Sequence, residues 1–237
     1  MQNILIVLTS HTTMGDTNKP TGFYFEEMAA PYWAMVDAGH EVTIASIKGG
    51  AAVHDPSSLD PDPTKRPAPV ERFIEDATAM ARLADTPAIT DIDPMDYDAI
   101  FLPGGHGTVW DLPDSAALAG AVGRIYDAGG VVAAVCHGPA GLVNARRADG
   151  RPLVEGRRVN SFTDSEEEAV GLTDVVPFLL ETRLRELGAI FEAGENFTPH
   201  AVRDGRLITG QNPQSSDAVG AHLIEALADA NAKARAS

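Results

Sequence analysis

The sequence predicts an α/β fold, a mainly parallel sheet with helices packed on both faces. Three observations carry this. Short apolar runs rich in β-branched residues recur along the 237 residues. Longer stretches of helical period lie between them, and glycine or proline marks most of the junctions. Strands alternating with helices leave a parallel sheet as the natural solution, because a parallel crossover needs a dozen or more residues, usually a helix.

Taken in order, residues 3–9 (NILIVLT), 41–47 (EVTIASI), 98–102 (DAIFL) and 130–135 (GVVAAV) read as buried strands. Residues 23–38 and 114–128 read as helices. The second starts at Pro113–Asp114, carries Leu118, Val122 and Ile125 along one face, and ends at Gly129–Gly130. Thr173 is placed to cap a further helix, with Pro177 in its first turn and Val176, Leu180, Leu184 and Leu187 on one face. Residues 200–210 read as a hairpin turning at Asp204–Gly205, and a last helix aligns Val219, Leu223, Leu227 and Ala230. Residues 48–69 hold five prolines in 22 residues. Because the sheet pattern resumes afterwards, they are expected to be a long insertion within one α/β domain spanning residues 1–237.

Composition excludes several classes. A hydrophobic fraction of 44% is too high for disorder. No run of 18 apolar residues marks a membrane span. The apolar start is interrupted by Asn3 and Thr9 and lacks a basic lead, so it reads as a strand and not a signal peptide. The net charge of −16 argues against binding a phosphate backbone, so no nucleic-acid partner is expected. One cysteine forms neither an intrachain disulfide nor a cysteine zinc cluster, and a reducing cytoplasm is the expected location.

Four segments carry candidate chemistry. In GGVVAAVCHGPAG (129–141) a buried strand runs straight into Cys136–His137–Gly138–Pro139. A nucleophile at such a turn sits beyond the carboxyl edge of the sheet, where open α/β folds bind ligands. The following small-residue segment is expected to be a helix whose amino terminus lowers the thiol pKa. FLPGGHGTVWDLP (101–113) presents glycine N–H groups after another strand. His106 has no second ligand at helical or hairpin spacing, so no metal is expected. In TGFYFEEMAAPYW (21–33), Glu26 or Glu27 points inward as a proton carrier. In SFTDSEEEAVG (161–171), one carboxylate orients His137. Trp33, Trp110 and Phe197 are expected in the core.

AVCHGPAG, PGGHGTVWDLP, TGFYFEE and NSFTDSEEEAVG, in this chain from about residue 3 to about residue 225, resemble the ThiJ/PfpI superfamily. Within it the chain is most similar to the glutathione-independent glyoxalase III, or heat-shock-protein-thirty-one-like, group. The resemblance implies a flavodoxin-like, class I glutamine amidotransferase-like sheet with a nucleophile elbow at Cys136. It implies His137 as the triad histidine, and Glu27, four residues before Pro31, as the pocket glutamate. Glu167 is the implied third member after Phe162–Thr163–Asp164, with Glu166 and Glu168 as competitors. Backbone N–H groups of Gly105 and His137 would bind the oxyanion. A zinc site known in larger relatives is not carried over, because only His106 of its trio is matched. The implied activity converts methylglyoxal or a similar 2-oxoaldehyde plus water to a 2-hydroxy acid, without cofactor, in a homodimer. The same thiol would serve an amidase, a peptidase, an isonitrile hydratase or a protein deglycase. A holding chaperone or a redox sensor is the alternative of a different class.

Overall fold

Side-chain alternation along the strands organises the molecule. The computed structural model describes the backbone of residues 1–236 and the side chains of residues 1–230 and 232. The chain runs β1 (Asn3–Leu8), α1 (Phe25–Asp37), β2 (Glu41–Ser46), α2 (Ala68–Glu75), α3 (Ala77–Ala84), β3 (Ala99–Leu102), α4 (Thr108–Asp111) and α5 (Ala116–Asp127). It continues through β4 (Val131–Val135), β5 (Arg158–Val159), α6 (Asp164–Ala169), α7 (Leu180–Glu186), β6 (Ile190–Phe191), β7 (Ala201–Asp204), β8 (Leu207–Gly210) and α8 (Ser216–Ala236). The main sheet has six strands in the order β2-β1-β3-β4-β8-β7, parallel except for the β7–β8 hairpin at one edge. β5 and β6 form a separate parallel pair.

Every β4 residue is buried because both faces of the sheet are covered. Val131, Ala133 and Val135 face one apolar core with residues of α1, α2 and α8, while Val132 and Ala134 face the other with α5 and α7. β1 divides in the same way, with Ile4, Ile6 and Leu8 against Leu5 and Val7. Such two-sided burial is why these strands read as continuous apolar runs and not as alternating ones. No helix among the described residues is long and apolar enough to cross a membrane.

The four expected sheet strands and the first two helices stand within two residues of their expected bounds. Four local readings need correction. Ser115, not Asp114, caps α5, its hydroxyl accepting from the Leu118 N–H at 3.2 Å. No helix begins at Thr173: Val175 and Val176 donate to Leu172 O in a turn, and α7 starts only at Leu180 after extended Leu179. Pro177 has no N–H to propagate the helix, and the residue before it is biased away from helical angles. The hairpin loop is Gly205–Arg206, because Asp204 still pairs with Leu207. Finally, the segment after Cys136 is only one five-residue 3₁₀ turn, Gly138–Leu142.

The proline-rich segment is ordered by its own chemistry. Asp55 and Asp62 accept from the N–H groups of Ser57 and Thr64, and Pro56 and Pro63 occupy the first positions of the two resulting 3₁₀ turns. Phe23 and His54 bridge this segment to the start of α1.

The elbow is backed tightly against the end of β3. A Cβ on Gly138 would lie 2.0 Å from Leu102 O, a backbone atom with no room to yield. Gly138→Ala is therefore expected to destabilise the protein by roughly 1–3 kcal/mol, as overpacked cores do, measured as a lower urea midpoint.

Candidate active site

β4 ends and the chain turns at Cys136, whose φ is +59°. A non-glycine residue rarely adopts this left-handed conformation, and it persists only where surrounding bonds over-determine it. Here the Cys136 N–H donates to Gly210 O at 2.8 Å, and its C=O accepts from the Phe162 N–H at 2.8 Å. Thr108 Oγ1 donates to the carbonyls of Gly105 at 2.8 Å and His137 at 3.0 Å. β8, α4 and the loop before α6 thus hold the thiol at the carboxyl edge of the sheet.

From Sγ a chain of polar contacts runs outward. Cys136 Sγ lies 3.3 Å from His137 Nδ1, and His137 Nε2 lies 2.7 Å from Glu167 Oε2. Glu167 Oε1 contacts His106 Nε2 at 2.9 Å. Burial raises the Glu167 carboxyl, but the two imidazoles outweigh it and hold the group at about 2. An ionised carboxylate accepts, so both imidazoles donate their Nε2–H to it. That tautomer leaves the His137 Nδ1 lone pair facing the thiol. Burial, then His106, pushes the His137 pKa down, so the ring is neutral and ready to take a proton.

The structure separates the three consecutive glutamates. Thr163 caps α6 in a reciprocal box with Glu166, whose other oxygen accepts from Asn212 Nδ2 and the Phe197 N–H, each at 2.8 Å. Glu166 is thereby committed to holding α6, Glu168 is exposed, and Glu167 is the residue that meets His137.

Glu27 rather than Glu26 points inward, being completely buried while Glu26 is half-buried. Its Oε2 accepts from the Gly104 N–H at 2.8 Å, and its Oε1 has no partner. Burial pushes Glu27 up to about 8 against the pull of Cys136 and the Gly104 N–H. The thiol is also raised, first by burial and then by Glu27, although the N–H groups of His137 and Gly105 draw it down. This reverses the expected direction for Cys136. A single 3₁₀ turn supplies little dipole, and a desolvated neighbouring carboxyl opposes a second negative charge. Gly105, at φ +99°, brings its backbone where a Cβ would meet Gly22 O at 2.2 Å.

A cavity of about 310 Å³ opens above Sγ. Its floor includes Cys136, His137, His106 and Gly105, and the proline-rich segment contributes Asp55 and Ser57 to the wall. Trp33 is core, and Trp110 stacks on His11. Phe197, expected in the core, instead stands 40% exposed at the cavity mouth.

Sequence reasoning missed three contributors. His106, expected to be without ligand neighbours, shares Glu167 with His137 across 61 residues of sequence. Donor atoms of His106, His137 and Glu167 lie within 4.8 Å of one another, a set of the kind that binds zinc. Both imidazole N–H groups are committed to the carboxylate, so a cation would have to displace two protons. Tyr24, just before α1, lines the cavity with a hydroxyl raised to about 12, first by burial and then by Glu27. Phe197 lines its mouth. Only Tyr24 carried a local signal, its place beside the glutamate pair.

A DJ-1/PfpI family model matches residues 21–226, which contain the elbow, the glycine loop and both carboxyls. The chain belongs to the DJ-1/PfpI family. Within the range of this family, the chain is 33% identical over 236 residues to Glyoxalase 3 of Candida albicans, covering 95% of this chain and 98% of that one. It is 32% identical to a glutathione-independent glyoxalase of Saccharomyces cerevisiae, with the same coverage. The crystal structure of glyoxalase III from Candida albicans superposes with a TM-score of 0.88 at 32% identity, covering 95% of this chain and 97% of that one. Family membership agrees with the mainly parallel sheet and the layers of helices on both its faces.

The two carboxyls shift oppositely, so their effects on stability separate with pH. Glu27, raised from 4.5 to about 8, costs the native state increasingly as pH climbs through that window, and fully above it. Glu27→Gln keeps an acceptor for Gly104 and removes that cost. The variant is expected to exceed wild type by a few kcal/mol at pH 8.5, with the gain vanishing towards pH 4.5, read from denaturant midpoints at both pH values.

Proposed function

We propose that the protein is a glutathione-independent glyoxalase that converts a 2-oxoaldehyde plus water to a 2-hydroxy acid, with methylglyoxal giving lactate. The observation that carries this reading is Glu27. A triad alone serves acyl hydrolysis. A buried, protonated carboxyl with a free oxygen beside the nucleophile is what an aldehyde-to-acid isomerisation needs in addition. The named activities of the Candida and Saccharomyces relatives support it.

In this reading Cys136 Sγ attacks the aldehyde carbon as its proton passes to His137 Nδ1, and the imidazolium then hands that proton to the aldehyde oxygen to give a hemithioacetal. Glu167, ionised, stabilises the imidazolium formed, and the N–H groups of Gly105 and His137 hold the oxygen. Glu27, once ionised by handing its proton to the ketone oxygen, removes the hydrogen from C1, giving an enediol. It then returns that hydrogen to C2 as the C1 hydroxyl gives up its proton to the ionised carboxyl, which leaves a thioester and restores the protonated Glu27. Water cleaves the thioester, releasing the 2-hydroxy acid and restoring the thiol. Substrate, one water and product balance with no electron acceptor. His106 is a positioning residue here, holding the second oxygen of Glu167 so that the first faces His137.

The family resemblance and the single cysteine further support a homodimer working in a reducing cytoplasm. Sedimentation equilibrium is expected to give twice the 25.0 kDa chain mass, and a monomer at micromolar concentration would remove the dimer from this proposal.

The enzymatic reading is tested by following methylglyoxal loss and lactate appearance without glutathione. Wild type is expected to turn over, Cys136→Ser to lose on the order of a thousandfold or more in kcat, and Glu27→Gln to lose a comparable factor while remaining folded. Full turnover in Cys136→Ser would end this mechanism.

A further inference from the structure

We infer that the preferred substrate is a 2-oxoaldehyde whose side chain is uncharged, apolar and about the size of a phenyl ring, and that a side-chain carboxylate is rejected. This rests on the glyoxalase reading above and deepens it by naming the group beyond the reacting carbons.

Size comes first. The cavity of about 310 Å³ lies at the lower end of the range that buries drug-sized ligands. With about 30 Å³ per water, it has room for on the order of ten waters. Methylglyoxal, with five heavy atoms, occupies a small part of that and leaves the outer cavity wet. A rate gain from excluding water calls for a larger group there.

The outer walls say what kind of group. Met14, Phe162, Val170, Leu172 and Phe197 line the cavity beyond the reactive floor. Val170 is 44% and Phe197 40% exposed, so two of the large apolar side chains that the described residues leave in solvent stand on this one cavity. Phe197 also holds a left-handed backbone, φ +56°, uncommon for a bulky residue. Its N–H is tied to Glu166 Oε1 at 2.8 Å, and its ring lies 6.2 Å from that of Phe162. An exposed aromatic ring held in a costly conformation at a cavity mouth is arranged to meet an apolar partner.

Charge sets the exclusion. Among the described residues, no lysine or arginine lines the cavity, whereas Asp55 does. Asp55 already accepts from Thr21 Oγ1 and from the Ser57 N–H and hydroxyl, so it is held in place. A carboxylate entering this space would lose hydration, find no counter-ion, and face a like charge in a chain of net charge −16.

The test compares kcat/KM for methylglyoxal, phenylglyoxal and 4-carboxyphenylglyoxal in wild type, Phe197→Gly and Val170→Lys. Glycine is chosen at position 197 because it suits the left-handed backbone. Phenylglyoxal is expected to exceed methylglyoxal about tenfold or more, and the carboxylated analogue to fall about tenfold or more below phenylglyoxal. Phe197→Gly is expected to lower the phenylglyoxal-to-methylglyoxal ratio severalfold. Val170→Lys is expected to narrow the gap between the two aryl substrates by placing a cation at the mouth. Turnover of methylglyoxal equal to or above that of phenylglyoxal overturns this inference and leaves the glyoxalase reading standing. Ratios unmoved by both variants overturn the assignment to this mouth. Absence of turnover with every aldehyde overturns both readings.

Discussion

Everything at the site depends on holding one residue in a conformation it does not favour. Cys136 occupies the left-handed region at the junction of β4 and a single 3₁₀ turn, and three neighbouring segments clamp it there. The clamp requires small residues nearby. Gly138 lies against Leu102 O, and Gly105 passes against Gly22 O, both too close for any side chain. The parallel register of β3, β4 and β8 brings these segments to one sheet edge. The fold therefore acts less as a container than as a jig for one strained backbone angle.

Around that angle the protein places two carboxyls in opposite environments. Glu167 receives two imidazole N–H donors and stays ionised, whereas Glu27 has one backbone donor, a free oxygen and no cation, and stays protonated near neutrality. Divergent environments of this sort suit the two carboxyls to the separate roles proposed above, one orienting an imidazole and the other carrying protons. The same division explains why the thiol is raised. Its neighbour is a desolvated acid, and the Sγ–His137 contact leaves the thiol a neutral imidazole to which a proton can pass. Pro31, four residues after Glu27 inside α1, cannot donate to the Glu27 carbonyl, so the helix is locally loosened where the acid sits.

The cavity is assembled from parts with no obvious link in sequence. The proline-rich segment, an insertion by its composition, supplies Asp55 and Ser57, because aspartate caps and proline-started turns give it a defined path back to the start of α1. The turn between α6 and α7, which takes the place of the start of the helix expected from Thr173, brings Leu172 to the same wall.

Sequence alone determined the layered sheet and the turn that carries Cys136 at its edge. Buried parallel strands must be apolar on both faces, and a small-residue turn after such a strand is legible in order and composition. Resemblance to known motifs then chose Glu27 from a pair and Glu167 from a run of three, and the capping box of Glu166 shows why the neighbour was already occupied. Only the tertiary structure decided the rest. His106 meets Glu167 because two loops converge at one sheet edge, a relation that has no spacing. Phe197 leaves the core because Glu166 and a left-handed backbone hold it at the mouth. The direction of the thiol pKa turned on burial and on the distance to one carboxyl, and both are properties of three-dimensional packing rather than of residue order.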